Sequence, residues 1–481
     1  MQADTLRFAH EKCLYVALEN NFNDYFLFNG QPMGFGLEML EDFSKYIGCD
    51  LVILPCQTLE EQWRMLEEGR ADLIASNLNI TKERAQKAAF THPIYRTGQV
   101  LVQLDPLYSG DSAAFVQSVG QLAGKTVNVR RHSVFEETLR HYNDTVPPHE
   151  RIKITGSSRT EEELLHAVST GRFPYTVVSQ NKAFRFRMAH PQIDISLPVG
   201  ETQDVAWALH PQSDSLLALA NRWIDSLQKN KAIGYLYHKY YEIPYDKTVR
   251  SAKSGFRKID SVNRYRKRIQ WERLVDEGFL AQEDSLFFFN ESPNSKSKDR
   301  HVHGNAGISP FDRLIKKYSR QVGWDWQLLA SLIYQESQFR SYLVSSKGAI
   351  GLMQLMPPTA RQYGITVRSG TEEQIAAGIK YIKSIYRALP KEIPEREQRY
   401  FVLGAYNIGL GHILDARRLA QKYGADPNVW HHNVEDYLLL KSKPEYYRDT
   451  ASRNGYANGK QAVDFVRKIE TRAMHYRNLT K

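Results

Sequence analysis

The stretch DWQLLASLIYQESQFRSYLVSSKGAIGLMQLMPPTA, residues 325–360, decides how the second half of this chain folds. Asp325 is a good N-cap for a helix that continues to Glu336. Three apolar residues define the buried face of this helix: Leu329, Leu332 and Ile333. Glu336 follows them by seven, four and three residues, so its carboxyl group is predicted to share their face. Burial there would raise its pKa by about one unit or more, which suits a general acid near neutral pH.

The sequence after Glu336 contains no acidic residue from Ser337 to Thr371. It is rich in Gly, Ser, Met, Pro and Tyr, and Gln354 supplies an amide that can bind sugar hydroxyls, which is typical of the wall of a cleft. This composition weakens the alternative that Glu336 ends its helix and points to water. A standard glycosidase places two carboxylates across the scissile bond. A second carboxylate would here have to come from a distant segment.

The composition predicts two or three globular domains, since the chain has 481 residues, of which 42% are hydrophobic and 25% charged. A formal net charge of +10 favours an acidic partner, such as anionic lipid or an anionic wall polymer. No nucleic-acid-binding signature accompanies this charge, which argues against nucleic acid. Ten basic residues lie between Lys247 and Arg273, where we predict either a surface for an anionic layer or a solvated connecting helix.

No apolar run in the sequence approaches the roughly 20 residues that a membrane span needs. The start, MQADTLRFAH, lacks the pattern of a signal peptide, which fits either a cytoplasmic protein or one whose signal has been removed. The three cysteines are too few, and odd in number, for a disulfide framework. Cys13 and Cys49 would meet if the strands that begin near Cys13 and Asp50 are neighbours, and buried thiols are the alternative.

The first half alternates strands and helices, which is the pattern of a parallel sheet covered by helices. The pattern occurs once before and once after about residues 100–120, so two α/β lobes are predicted. The predicted strands are 13–19, 51–55, 71–76, 125–130 and 175–179, and the predicted helices are 36–48, 58–69 and 160–171.

The chain is therefore predicted to be multidomain. Residues 1–245 form the two-lobed α/β module, and residues 306–481 form an almost wholly helical domain. Residues 246–305 form a basic connector and a linker, since the segment ESPNSKSKDRHVHGNAG at 291–307 is mostly polar.

Residues from about 311 to 476 resemble the catalytic domain of the soluble lytic transglycosylase family, which is related to goose-type lysozyme and has an all-α fold. Three motifs carry the resemblance in the family's order: Glu336-Ser337, GAIGLMQ at 348–354 and AYNIG at 405–409. A fourth motif departs from the family, because Gln461 and Phe465 take the places of a Glu and a Tyr.

This resemblance implies cleavage of peptidoglycan glycan strands without water, metal or cofactor. Glu336 would protonate the glycosidic oxygen between N-acetylmuramic acid and N-acetylglucosamine. As a base, it would then take the proton of the C6 hydroxyl that attacks C1, and the product is a 1,6-anhydromuramyl end. Ser337 would orient the acetamido group or Glu336. The residues implied in substrate binding are Gln354, Tyr406 and Asn407, with Tyr456 as a candidate cleft residue. Core packing is the alternative role for Tyr406.

Residues from about 12 to 243 resemble the bacterial extracellular solute-binding family that captures amino acids. The matching pieces are GFGLE at 34–38, GRADL at 69–73 and TKER at 81–84. In that family the Arg of the last motif binds a ligand carboxylate, a role implied here for Arg84, with a surface Arg as the alternative. Ser179 stands where relatives usually carry an Asp that holds the ligand's amine. A peptide or another carboxylate ligand is therefore favoured over a free amino acid.

In this order the two resemblances are those of the membrane-bound lytic murein transglycosylase F family. They imply a periplasmic protein at the outer-membrane surface, in which a module that binds a muropeptide or amino acid regulates or positions a wall-cleaving domain. Two alternatives stay open. One is a lysozyme-type muramidase, which would leave reducing ends, and the other is a non-catalytic solute-binding sensor with a decayed enzyme domain.

Overall fold

The computed structural model describes residues 13–28, 30–110, 113–242 and 307–480. The described residues divide into two compact units, one within 13–26 and 33–242 and the other within 27–32 and 307–480. The predicted connector at 246–305, with its basic stretch, lies outside the described residues. Within the described ranges, none of the helices combines the length and the apolar character that crossing a bilayer requires.

The first unit is built on a sheet of ten strands, in the order β4-β1-β5-β12-β7-β10-β8-β9, with β11 paired to β7 and β6 to β12. A separate pair is formed by β2 and β3. The strands among the described residues are β1 (Cys13–Glu19), β2 (Phe26–Phe28), β3 (Gln31–Met33), β4 (Asp50–Cys56), β5 (Leu73–Asn79), β6 (Ala89–Phe90), β7 (Tyr95–Leu104), β8 (Thr126–Arg130), β9 (Lys153–Ser157), β10 (Thr176–Ser179), β11 (Ile193–Asp194) and β12 (Pro198–Leu209).

Two parallel groups of strands make up this sheet. β1 is parallel to β4 and β5, and β8 is parallel to β9 and β10. The long strands β7 and β12 run antiparallel to each other between the two groups. The predicted two-lobed α/β architecture is confirmed, with β7 and β12 as the strands that the lobes share.

Helices cover the sheet, because parallel strands are buried on both faces and need a layer on each side. The helices of the first unit are α1 (Phe35–Ile47), α2 (Leu59–Glu67), α3 (Arg84–Lys87), α4 (Pro106–Ser109), α5 (Val134–Thr145), α6 (Glu161–Ser169), α7 (Gln180–Arg187), α8 (Asp214–Lys229) and α9 (Ala232–Tyr237). In α1, Leu37 and Leu40 are buried, and Gly48 ends the helix with φ 71°, a conformation that glycine adopts without strain.

The cysteines are thiols. β1 and β4 are neighbours and Cys13 lies opposite Asp50, as the disulfide hypothesis required. No disulfide joins Cys13 to Cys49, however, so the thiol alternative is confirmed, although Cys13 and Cys49 are only partly buried. Cys56 is buried, and burial raises the pKa of its thiol to about 12.

The second unit is helical, as predicted. Its helices are α10 (Asp312–Ser319), α11 (Trp326–Ser337), α12 (Pro357–Gln362), α13 (Thr371–Ala388), α14 (Glu395–Ile408), α15 (Leu410–Lys422), α16 (Glu435–Leu440), α17 (Pro444–Tyr447) and α18 (Gly459–Leu479). α11 packs along α18, which also contacts α14 and α16. The predicted buried face of α11 is confirmed, since Leu329, Leu332 and Ile333 have no exposed surface.

Asp415, on α15, is a fully buried carboxylate that fixes the approach to α18. It accepts hydrogen bonds from Lys441 Nζ (2.6 Å), from the Arg418 guanidinium and from the backbone amides of Arg453 (2.9 Å) and Asn454 (2.8 Å). Burial alone would raise its pKa, but the bonds from Lys441 and from the two amides outweigh burial and hold the pKa well below its usual range. The segment at 453–454, shortly before α18, is held in place in this way.

Asp415→Asn should lower the free energy of unfolding of the helical unit by about 3–5 kcal/mol, because Lys441 would stay buried without its counter-ion. The depressed pKa means that this stabilisation is present above the unfolded value of 3.8 and is lost as the pH falls below it. Urea unfolding of the full chain, followed by circular dichroism at pH 7 and at lower pH, measures both effects.

Glu372→Gln is the control for this experiment, since it removes an exposed ion pair with Lys317 (2.7 Å) and should leave the unfolding midpoint nearly unchanged. An Asp415→Asn midpoint equal to that of the wild type would contradict the role given to Asp415.

Candidate active site and a second charged pocket

Glu336 lies in the last turn of α11. Asp325 caps the start of this helix by accepting a hydrogen bond from the backbone amide of Leu328 (2.9 Å), so the helix begins where the sequence predicts. The side chain of Glu336 is half-buried, and desolvation raises the pKa of its carboxyl group to about 8. The carboxyl group is therefore mostly protonated at neutral pH, which is the form in which a general acid acts.

The carboxyl group of Glu336 lines a cleft of about 310 Å³. The cleft is bordered by Gln335, Glu336, Asn407, Gln461, Asp464, Phe465 and Lys468. Asn407, which the third motif singles out, thus meets Glu336 in space. Gln461 and Phe465 also line the cleft, so the segment that departs from the family pattern forms part of the wall.

One face of α18 supplies four of these residues. Gln461, Asp464, Phe465 and Lys468 follow each other at intervals of three, one and three residues, which places them on the same side of a helix. The sequence prediction did not include Gln335, Asp464 or Lys468. Helical spacing from Gln461 was the available signal for the last two. The sequence left open a second carboxylate from a distant segment, and Asp464 is a carboxylate in that position. Asp464 forms an ion pair with Lys460 (3.4 Å).

The backbone after Glu336 adopts strained conformations. Gln338 and Phe339 both have positive φ, at 53° and 63°, and Gln354 has φ 45°. Such values cost energy in residues other than glycine and persist where the surrounding structure enforces them. Gln374 is one such restraint, since its Oε1 accepts from the Leu352 amide (2.8 Å) and its Nε2 donates to the Ser369 carbonyl (2.8 Å).

Three of the predicted site residues hold backbone in place. Ser337 is buried, and its hydroxyl donates to the Ile333 carbonyl (3.2 Å). Gln354 donates through Nε2 to the carbonyls of Leu343 (3.0 Å) and Gly351 (2.8 Å).

The third of them, Tyr406, donates its hydroxyl proton to the Met353 carbonyl (2.6 Å) and packs against the ring of Tyr381 at 5.2 Å. Burial, and then the nearby Glu336, raises the pKa of the Tyr406 hydroxyl well above its usual value. Tyr406 therefore lies beside the catalytic candidate and fixes the loop of the second motif.

Tyr456, the candidate cleft residue of the sequence analysis, lies outside the lining of the Glu336 cleft. Its side chain is 60% exposed, and its ring meets that of Tyr447 edge to face at 5.8 Å. It is not among the residues that border the cleft around Glu336.

A second charged pocket lies in the first unit, around Arg84. Arg84 is only 8% exposed and donates from its guanidinium to the carbonyls of Asn79 (3.1 Å) and His132 (3.4 Å). Burial lowers its pKa. In the part of the chain that the structure describes, no carboxylate forms an ion pair with it. The surface alternative for Arg84 is therefore wrong, because this guanidinium is buried in a pocket.

The acidic groups of this pocket are neutralised within the protein. Glu19 forms a buried ion pair with Arg130 (2.7 Å), and Glu161 pairs with Lys182 (2.7 Å). Ser179 donates to the Glu161 carboxylate from both its amide (2.9 Å) and its hydroxyl (2.8 Å). These residues line a pocket with a volume of about 40 Å³, which also contains Arg84.

Comparison with known proteins relates each unit to a described family. Residues 14–243 match the bacterial extracellular solute-binding proteins, family 3, and residues 313–429 match the transglycosylase SLT domain. The membrane-bound lytic murein transglycosylase F of Desulfosudis oleivorans is 29% identical over 459 residues, which cover 95% of this chain and 88% of the relative. The protein of the same name from Shewanella sediminis is 30% identical over 446 residues, which cover 92% of this chain and 81% of that relative.

The chain belongs to the membrane-bound lytic murein transglycosylase F family. Its solute-binding match coincides with the α/β unit, and its SLT match contains Glu336, Ser337, Gln354, Tyr406 and Asn407. The SLT match ends before α18, so the four cleft residues of that helix lie outside it. Among solved structures, the P235GK mutant of ArgBP from T. maritima is 23% identical to this chain and has a TM-score of 0.44. The match covers 50% of this chain and 100% of the ArgBP chain.

Proposed function

We propose that the helical unit cleaves the β-1,4 bond between N-acetylmuramic acid and N-acetylglucosamine and leaves a 1,6-anhydromuramyl end. The observation that carries this proposal is the place of Glu336, which is half-buried and lines a cleft with Asn407 and Gln461, where burial raises the pKa of its carboxyl group to about 8. At that value about nine-tenths of the carboxyl group is protonated at pH 7. Glu336 therefore holds the proton that the leaving group needs.

The proposed reaction uses Glu336 twice. Its proton passes to the glycosidic oxygen as the bond from C1 to that oxygen breaks, and the substrate's acetamido group stabilises the positive charge that develops at C1. The Glu336 carboxylate then takes the proton of the C6 hydroxyl, whose oxygen forms the new bond to C1. Glu336 ends the cycle protonated, so the reaction consumes no water and needs no second carboxylate.

The residues around Glu336 divide into two groups in this proposal. Asn407, Gln461 and Phe465 border the cleft, and we assign them to contact the sugars. Ser337, Gln354 and Tyr406 use their polar groups on backbone carbonyls, which supports a positioning role for them in place of direct sugar binding.

Lysozyme-type hydrolysis is the second candidate function, because Asp464 lines the same cleft and would be the second carboxylate that hydrolysis requires. The two reactions differ in product. Transglycosylation leaves anhydro ends and hydrolysis leaves reducing ends, which mass spectrometry of digested sacculi distinguishes.

Glu336→Gln should reduce the release of muropeptides from purified sacculi by about a hundredfold or more, because the variant has no proton to donate. Wild-type activity should fall as the pH rises through about 8, where Glu336 ionises. Asp464→Asn is the matched control in the same cleft and should keep most of the activity.

Equal losses in Glu336→Gln and Asp464→Asn, with reducing ends as the product, would favour the hydrolase. An inactive wild type would favour the non-catalytic sensor.

For the first unit, we propose a ligand whose carboxylate binds Arg84, such as a muropeptide or an amino acid, and whose binding regulates cleavage at Glu336. The buried guanidinium of Arg84 supports a carboxylate, since both acids of the pocket already have cationic partners. A free ammonium group on the ligand would meet Lys182 and Arg130 and no unpaired acid. We therefore favour a ligand whose amine is acylated, as in a peptide.

Arg84→Ala should weaken the binding of an N-acetylated peptide by about tenfold or more, because a bidentate guanidinium–carboxylate contact would be lost. Isothermal titration calorimetry on the full chain measures this change, with the free amino acid and the C-terminally amidated peptide as weaker ligands. Arg187→Ala, an exposed arginine of the same unit, is the control. The proposal fails if Arg84→Ala leaves both peptide binding and sacculus cleavage unchanged.

We also propose a periplasmic location at the outer-membrane surface. The relatives carry "membrane-bound" in their names, and the proposed substrate is a wall polymer. The net charge of +10 supports contact with an anionic layer.

A further inference from the structure

One cation borders the Glu336 cleft and forms no ion pair with any residue that the structure describes. Lys468 lies on the exposed side of α18, where it lines the cleft with Gln461, Asp464 and Phe465. The opposite side of α18 is fixed in the core of the unit by Ala462, Val463, Val466, Ile469 and Ala473. Lys468 therefore projects into the cleft from a rigid element, as a side chain that recognises substrate must.

The other Lys and Arg residues of α18 are occupied elsewhere. Lys460 pairs with Asp464, Arg467 with Glu435 (3.1 Å) and Arg477 with Asp325 (2.8 Å). Arg472 donates to Gln335 Oε1 (3.2 Å) and lies over the ring of Tyr334. Among the described residues, Lys468 forms no ion pair and no hydrogen bond.

The charges of the cleft leave Lys468 uncompensated. Glu336 is mostly uncharged at neutral pH because burial raises its pKa to about 8. The charge of Asp464 is already matched by Lys460. Gln461, which stands where the family carries a Glu, adds no charge. A neutral sugar hydroxyl gives no reason for an ammonium group at this place, whereas a carboxylate does.

We propose that Lys468 determines specificity for a carboxylate carried by the glycan strand. This inference rests on the proposed function. Two sources offer the same chemistry. One is the lactyl group of a muramic acid without a peptide, and the other is a carboxylate of the stem peptide on a substituted strand. Lys468 binds the strand and takes no part in proton transfer, so it acts on the affinity of the substrate complex.

The test compares Lys468→Gln, Lys468→Arg and the wild-type full chain on two soluble substrates. The first is peptide-bearing strands, in which the lactyl group is an amide. The second is the same strands after an amidase has removed the peptides, which leaves lactyl carboxylates. Lys468→Gln should raise KM about three- to tenfold on at least one substrate, with kcat within about twofold, since it removes a charge-assisted contact. Lys468→Arg should restore most of the affinity.

The substrate that shows the loss identifies the carboxylate. A loss on peptide-bearing strands alone assigns the stem peptide, and a loss on stripped strands alone assigns the lactyl group. Binding of uncharged N-acetylglucosamine oligomers to Glu336→Gln and to Glu336→Gln/Lys468→Gln provides the neutral reference and should be equal. Lys391→Gln, at an exposed lysine of the same unit outside the cleft lining, is the control and should leave KM unchanged.

Two results would overturn the assignment of Lys468. One is an unchanged KM on both charged substrates while the wild type cleaves them, and the other is an equal loss of affinity for the neutral oligomers. A wild type that cleaves neither substrate would refute the proposed function itself, which separates that failure from a failure of the Lys468 inference.

Discussion

The proposed chemistry of the helical unit depends on one constraint, which is that the carboxyl group of Glu336 is partly removed from water. It lies at the end of α11, after Leu329, Leu332 and Ile333, which have no exposed surface. A carboxylate in that position would cost free energy, so the group keeps its proton to about pH 8. Burial destabilises the ionised form of the carboxyl group. Glu336 therefore retains the proton that the proposed reaction uses.

The surrounding structure serves to maintain this position. The strained backbone at Gln338 and Phe339 turns the chain away immediately after α11, and Gln374 and Tyr406 fix the loop that follows. Asp415 fixes the segment before α18, whose polar face completes the cleft. A cationic partner decides how burial acts on these carboxyl groups. Glu161 pairs with Lys182 and Asp415 with Lys441, and the pKa of each acid is lowered. No cation forms an ion pair with Glu336 in the described part of the chain, and burial raises its pKa.

Periodicity within one element made much of this fold predictable from the sequence. The buried face of α11, the raised pKa of Glu336 and the strand β1 follow from spacing alone. The departure at Gln461 and Phe465 was visible in the sequence, but their place beside Glu336 depends on how α18 packs on α11. Asp464 and Lys468 were missed for the same reason.

The hydrogen bonds of Ser337, Gln354 and Tyr406 to backbone carbonyls depend on loop geometry, and no motif encodes that geometry. The pairing of Glu161 with Lys182 and Ser179 likewise depends on how β10, α6 and α7 meet. The exposure of Tyr456 was also not predictable from the sequence, because its segment lies between helices and carries no periodic pattern.

The most direct test of the account is a titration of the Glu336 carboxyl group itself. Carbon-detected NMR of the full chain with ¹³C-labelled glutamate, compared with Glu336→Gln to assign the resonance, measures its pKa. Burial of the carboxyl group predicts a value near 8, well above the 4.5 of an ordinary glutamate. A midpoint near 4.5 would show that Glu336 is ionised at neutral pH, and the single-acid mechanism would then be wrong.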